Sequence, residues 1–429
     1  MIQPDKAERI ILDLVCPPGE LDAEWVNLRT ASDRVLARPI VSPLDFPHWD
    51  NSAMDGYAVR AEDVAMCSET QPIELQIIEE IPAGVPPQQT VQAGQAARIL
   101  TGSMMPSGAD TVVMQEVTRR EGDRVFVLSA PQPRQFVRRR GEFHQAGDEL
   151  LSMGTLLGAS EVAVLAAAQC ASVQVFRRVR VAILSTGNEL VEPEQPLQSG
   201  QIVDSNQYAL AAAVMQLGAV PLCMGIVRDD PDALAMAIAH ARTTADIVLS
   251  SGGVSVGDYD YVEPVLESLG GTIHIRSVAI KPGKPLTVAT FDAQTPQPSP
   301  AQPESNTSCL YFGLPGNPVS ALVTFWRFVQ PAIRKRSGLS HGWHPTRVIG
   351  RSRQDLRSDG KRESCIWGKL QLTPDGYWFD PAGGSHSSGN LINLAQTNAL
   401  AIIPIGQTHL PSGQSVQLMP IHTVPFVQP

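Results

Sequence analysis

Ser250-Ser-Gly-Gly-Val-Ser-Val-Gly257 is the stretch of this chain best equipped to hold an anion. Glycines let backbone N–H groups approach a charged oxygen closely, and a following helix N-terminus adds partial positive charge. The short apolar run Ile247-Val-Leu249 before it has the length of a buried parallel strand. An acidic segment with Val262, Val265, Leu266 and Leu269 at helical spacing comes after it. Strand, glycine-rich loop and helix are therefore expected. Gly253-Val-Ser-Val-Gly257 also satisfies the G-x-S-x-G pattern of a hydrolase elbow, with Ser255 as the nucleophile. It is no Walker A loop, because no Gly-Lys-Ser/Thr closes it. An ordinary glycine-rich turn is the other reading of this loop alone.

Further groups suited to charge handling are spread along the chain. Lys281-Pro-Gly-Lys-Pro285 holds two lysines between prolines, and is either a source of local positive charge or a surface turn. Arg138-Arg-Arg140 offers planar guanidinium forks that suit phosphate, or else a solvated face. Asp50-Asn-Ser-Ala-Met-Asp-Gly-Tyr57 places two carboxylates five residues apart, fit for a hard cation or simply for a tight Asx turn. His341 and His344 lie three apart in a Gly/Trp/Pro loop without further ligands at metal spacing, so solvated histidines are expected. Lys361-Arg-Glu363 and Ser385-His-Ser-Ser-Gly-Asn390 read, each alone, as surface turns.

Composition narrows the class. The 429 residues suffice for several domains, and 43% hydrophobic content is ample for their cores. A formal net charge of -10 argues against a general nucleic-acid or acidic-membrane binder, so an anionic substrate needs a local basic pocket. Six scattered cysteines without a C-x-x-C pair suggest buried thiols in a reducing compartment. Asp5, Lys6, Glu8 and Arg9 do not suit a secretory signal, and the most apolar span, Val162 to Phe176, is too short for a membrane. A cytoplasmic protein is expected.

The elements that must position these groups follow from periodicity. Residues 5–15 read as an amphipathic helix stopped by Cys16-Pro-Pro-Gly19, and Glu24 to Val41 continues with mixed helical periodicity. From Tyr57 to about Leu150 the chain is strand-like, with strands at Ile73–Ile81, Ala97–Leu100, Thr111–Val117 and Val125–Leu128. An Ala-rich helix covers 159–170, with Ser160 as its expected N-cap. Strands and helices then alternate: Val181–Leu184, helix 207–217, Val220–Val227, a helix from Pro231 capped by Asp230, the opening stretch, Ile273–Ile280, Leu286–Phe291, Leu310–Phe312 and helix 318–335. Such alternation means a mostly parallel sheet with helices on both faces, whose ligands sit beyond the carboxyl ends of the strands. The polar loops at Thr186–Glu189, Gly252–Asp260, Lys281–Lys284 and Pro315–Asn317 all follow strands, so they should converge on one edge. The insert Asp292–Ser308 is low-complexity and is expected to be a loop without a catalytic role. Short strands return after residue 340, as in a small β-barrel or sandwich.

With these residues in view, the chain resembles the molybdopterin molybdenumtransferase family (MoeA, and the E domain of gephyrin). Asp50-Asn-Ser-Ala-Met-Asp-Gly-Tyr-Ala58, Thr101-Gly102, Arg138-Arg-Arg-Gly-Glu142, Ser185-Thr-Gly-Asn-Glu189, Ser250-Ser-Gly-Gly-Val-Ser-Val-Gly257, Lys281-Pro-Gly-Lys-Pro285 and Gly313-Leu-Pro-Gly-Asn-Pro-Val-Ser320 stand in the family's order. The resemblance implies a multidomain α/β plus β protein. A discontinuous, helical or mixed domain would combine 1–43 with 148–178, and 44–147 would be a β-rich inserted domain. Residues 179–338 would form the molybdopterin-binding α/β domain, and 339–429 a C-terminal β-barrel. The implied reaction joins molybdate to adenylylated molybdopterin with Mg²⁺ and releases AMP, the last step of molybdenum cofactor synthesis. A homodimer is implied, as is possible docking to the adenylyltransferase and to acceptor molybdoenzymes.

By the same resemblance Lys281 and Lys284 hold molybdate, with Ser320, Arg362 and Ser388 closing over it. Gly252, Gly253 and Ser255 cradle a phosphate or pterin group. Asp55, Glu189, Asp229 and Asp260 are candidates for catalysis and for Mg²⁺, Thr101 and Arg138 match further functional positions, and Pro315 and Pro318 shape a loop. Three departures stand out: Phe143 replaces an acidic residue after the Arg run, Ser277 replaces a frequent lysine, and Gly-Arg-x-Glu reads Gly360-Lys-Arg-Glu363. A serine hydrolase using Ser255 is disfavoured, since that residue lies five beyond Ser250 and past two glycines. A scaffold role without catalysis is the non-enzymatic alternative.

Overall fold

The structure is a computed structural model, and it describes residues 1–253, 261–292 and 308–425. The chain divides into two compact units, one of Met1–Arg38, Met153–Val162 and Ser172–Pro429, the other of Pro39–Ser152 and Ala163–Ala171.

The larger unit contains a six-stranded sheet in the order Val220–Val227, Arg180–Thr186, Ile247–Ser251, Cys309–Leu314, Pro285–Phe291, Thr272–Ser277. The first four pair in parallel and the last two antiparallel. Alternate residues go to opposite faces, as strand geometry requires. Val181, Ile183, Ile247 and Leu249 pack with Leu210, Val214, Val319 and Val323 of helices Asn206–Gln216 and Pro318–Thr324. Ala182, Leu184 and Val248 pack with Leu234, Ile238, Val262 and Val265 of helices Pro231–Thr244 and Val262–Ser268. The expected doubly wound sheet is present. Asp230 caps its helix as anticipated, accepting the Ala233 N–H at 2.8 Å, with Pro231 opening the first turn.

The same unit carries a closed barrel of five strands, Glu363–Thr373, Gly376–Pro381, Val348–Ser352, Ser415–Pro420 and Ala399–Ile403, the last pairing back to the first. Leu356, Leu370, Phe379, Ala401 and Leu418 help fill its core. The other unit is built on a six-stranded sheet, Thr111–Met114, Gly56–Val59, Gln95–Ile99, Ile73–Ile81, Arg124–Val127, Thr118–Glu121. Its two faces bury Tyr57, Leu75 and Val113 on one side and Ala58, Ile81 and Val112 on the other.

Several local expectations fail for long-range reasons. Glu24 to Val41 holds no α-helix, only a 3-10 turn at Leu28–Thr30: Ala23–Asn27 is a strand paired antiparallel with Ser172–Phe176, because a distant partner outweighs weak helical periodicity. Ser160 is not an N-cap but lies inside helix Ala159–Ala167, and the Gly158 N–H donates to Glu161 Oε2 at 3.0 Å. The strand expected at Ile273–Ile280 splits. Thr272–Ser277 stays in the α/β sheet, whereas Ile280–Lys281 pairs in parallel with Glu363–Ser364 of the barrel. Helix 318–335 is interrupted by a π-helical turn at Phe325–Val329. His344 is exposed in its loop as expected, and its Nδ1 also lies 2.6 Å from Glu8 Oε1. Of the free cysteines, Cys67, Cys309 and Cys365 are buried, but Cys16 and Cys223 are exposed. The insert lies outside the described residues, apart from Asp292 and Ser308 at its edges.

Candidate active site

The chain leaves Arg180–Thr186 for a helix on one face of the sheet and Ile247–Ser251 for a helix on the other. A crevice opens between adjacent strands whose connections diverge in this way, at their carboxyl ends. Gly252 floors it with φ +98, and a Cβ there would come within 2.4 Å of the Thr186 carbonyl oxygen. No side chain fits at that approach. Asn206, opening the next helix, donates Nδ2 to the Gly316 carbonyl at 2.8 Å and to Ser251 Oγ at 3.3 Å, tying together the loops of separate strands.

The crevice widens into a cleft of ≈ 1510 Å³ between the α/β sheet edge and the barrel. Glu189, Asp229, Gly252, Gly253, Lys281, Lys284, Pro315, Ser320, Arg362 and Ser388 all line it. The four strand-end loops do converge there as far as they are described. Pro318 opens its helix just outside the lining. Ser255 and Asp260 lie outside the described residues.

Positive charge concentrates where the two substructures meet. Lys281 and Arg362 stand on the paired segments Ile280–Lys281 and Glu363–Ser364 or directly beside them. Asp359 lies between them, its Oδ2 3.2 Å from Lys281 Nζ and 3.5 Å from Arg362 Nη2. The Lys361 N–H, donated to Asp359 Oδ1 at 2.9 Å, and the nearby Lys281 and Arg362 charges hold that carboxyl down at about 2. Lys284 has no carboxylate partner among the described residues. Ser388 Oγ accepts from Asn317 Nδ2 at 3.2 Å, and its carbonyl accepts the Val319 N–H at 3.2 Å, which joins the barrel loop to the start of a sheet helix.

Across the cleft floor, Asp229 and Asn188 exchange backbone N–H to side-chain bonds, both 3.3 Å. Glu189 and Asp229 supply hard oxygen donors, and Mg²⁺ characteristically takes one or two protein carboxylates and leaves further positions to phosphate. Glu189 and Asp229 are therefore the cleft residues that could hold a Mg²⁺. No group of three or more ligating side chains forms a protein-only cage among the described residues.

The barrel wall adds residues that sequence reasoning missed. Trp367 is buried, its indole N–H has no partner among the described residues, and the His386 ring packs on it at 4.7 Å. Burial holds His386 below its ordinary value, favouring the neutral imidazole. Asp359 was within reach of the flagged Lys361-Arg-Glu363 turn, but Trp367 was hidden in an apolar strand pattern. Asn206 carried no signal beyond opening a helix.

The remaining candidates lie in the other unit. Asp55 Oδ1 accepts both the Oγ1–H and the N–H of Thr101, each at 2.7 Å, and these bonds hold the exposed carboxyl below its ordinary value. Arg138 pairs with Asn51 in a two-residue ladder. Arg140 is committed locally, its N–H to Asp50 Oδ1 at 2.7 Å and its Nε to Asp45 Oδ2 at 2.5 Å. The Arg run therefore braces the Asp50 turn through Arg140.

Comparison with known proteins agrees over nearly the whole chain. Residues 2–168 match the family model for the MoeA N-terminal region (domain I and II), 182–335 a "Probable molybdopterin binding domain", and 350–421 the MoeA C-terminal region (domain IV). A molybdopterin molybdenumtransferase of Nostoc sp. is 60% identical over 94% of this chain and 89% of its own length. One from Haemophilus influenzae is 33% identical over 98% and 99%. A crystal structure of the molybdopterin biosynthesis MoeA protein from Pyrococcus horikoshii superposes with TM-score 0.81 at 31% identity, covering 98% of this chain and 100% of that one.

Proposed function

The chain belongs to the molybdopterin molybdenumtransferase family, and on that premise we propose that it converts adenylylated molybdopterin and molybdate to molybdenum cofactor and AMP. The observation that carries this reading is the gathering of Lys281, Lys284 and Arg362 around one cleft over a glycine floor. Molybdate and a pyrophosphate linkage are both anionic, so holding them together demands cations and backbone donors.

In this reading Lys281, Lys284 and Arg362 hold the oxyanion by charge, and the Ser320 and Ser388 hydroxyls orient its oxygens. Gly252 and Gly253 let main-chain N–H groups approach the phosphate without a side chain between. Glu189 and Asp229 would hold Mg²⁺, which when bound offsets charge on the phosphate oxygens. Asp260, Ser255, Asp55, Thr101 and Arg138 enter on the family resemblance alone.

A homodimer belongs to the same proposal. Trp25 is 67% and Leu21 71% exposed, and the apolar helix Ala159–Ala167 buries only Leu165. Surface of this kind marks protein contacts. Sedimentation as a monomer at micromolar concentration would count against it.

The reaction is tested by incubating the protein with adenylylated molybdopterin and Mg²⁺, with and without molybdate, and measuring AMP. Release that depends on molybdate is expected. No AMP in either case would overturn the reading.

A further inference from the structure

We propose that Asp359 is an internal counter-anion of the oxyanion site, and that molybdate must displace it from Lys281 and Arg362 in order to bind. This rests on the reading above. The carboxylate lies within ion-pair distance of both cations, 3.2 Å from Lys281 and 3.5 Å from Arg362, inside the cleft. It occupies a position between the two charges, which is where an incoming oxyanion would gain most from them.

Asp359 is not needed to bring the cations together. The parallel pairing of Ile280 with Glu363 and of Lys281 with Ser364 does that through the backbone. The Glu363 N–H also donates to the Ala279 carbonyl at 2.9 Å. The turn holding Asp359 has its own supports, Gly360 N–H to Ser358 Oγ at 3.0 Å and Ser364 Oγ to Ser358 Oγ at 3.1 Å. The carboxylate's effect is then chiefly one of charge.

With Asp359 ionised, two cations and one anion leave a single net positive charge. A singly charged anion offers these cations nothing that Asp359 does not already give. A doubly charged oxyanion offers more, so Asp359 biases the site towards dianions and against chloride. Since the Lys281–Asp359 pair is half exposed, its strength is modest and falls with salt.

Asp359→Asn separates charge from shape, because the amide oxygen still accepts the Lys361 N–H. Expected for this variant at low ionic strength is a molybdate KM lower by about fivefold, the change that an exposed pair of about 1 kcal/mol supports. Chloride should become a competitive inhibitor, and the gain should shrink as salt rises. An unchanged or higher molybdate KM would overturn the proposal and make Asp359 a brace for the cations. If the wild-type protein releases no AMP, the functional reading fails by itself. Equilibrium dialysis of molybdate against both proteins then decides the present point: tighter binding by Asp359→Asn sustains it, and equal or weaker binding ends it.

Discussion

Within one compact unit, Arg177 and Arg336 meet Asp22 and Asp246 in the interior, while Lys281, Lys284 and Arg362 stand in an open cleft with Asp359. The interior set is bonded many times over. Arg177 reaches Asp246 with both terminal nitrogens at 2.8 and 2.7 Å, Arg336 reaches Asp246 at 2.8 Å and Asp22 at 3.1 Å, and the Arg180 N–H adds 2.8 Å. The Asp246 side chain is 4% exposed, whereas that of Lys281 is 50% exposed. Buried charge must be paired in full, because an uncompensated buried ion costs several kcal/mol. Exposed cations can stay under-paired at little cost, and only such cations keep binding capacity for a ligand. The same residue types thus join distant chain segments in one place and serve the cleft in the other.

The comparison breaks most readily at Asp246. Asp246→Ala takes the shared carboxylate from buried Arg336 and partly buried Arg177, and should remove about 3–5 kcal/mol of stability in urea unfolding. A loss below about 1 kcal/mol, the range of exposed pairs, would erase the distinction. Lys281→Ala should do the reverse. Its unfolding midpoint should barely move, within about 0.5 kcal/mol, while kcat/KM for molybdate-dependent AMP release falls about 100-fold. A stability loss matching the activity loss would make Lys281 structural.

Acid gives the smallest and most graded test. Burial alone would raise the Asp246 carboxyl, but the Arg177 hydrogen bonds and the Arg336 charge prevail and hold it below its ordinary 3.8. A depressed carboxyl contributes stability that is present above that ordinary value and is lost as pH falls through the folded one. Stability should therefore decline as pH drops below 3.8, and the decline should be shallower in Asp246→Asn. Equal slopes in both proteins would remove Asp246 from the account of acid sensitivity.

Local patterning carried much of the fold. Val220–Val227 and Ile73–Ile81 begin and end where β-rich composition and turn residues put them. The cap at Asp230 is equally local. Glu24 to Val41 resists a local reading because the partner of its strand lies beyond residue 170, and Ser160 fails as a cap because the helix already begins at Ala159. At the site, the glycine floor and the two lysines were legible as loops after strands. Asp359, Asn206 and Trp367 were not, since each matters through contacts with residues remote in sequence, and His386, though inside the flagged Ser385–Asn390 turn, gains its place only by packing on Trp367.

Residue order alone determined the alternation of strands and helices, the placing of polar loops at strand ends, and the family resemblance, all properties of neighbouring residues or of motif order. Tertiary structure decided that Ile280–Lys281 leaves the α/β sheet to pair with the barrel, that Arg362 therefore stands beside Lys281, and that Asp359 faces both. Charge recognition depends on distances of a few ångströms between residues remote in sequence. Periodicity reports which face a residue occupies, but only the packed chain sets which charge it meets.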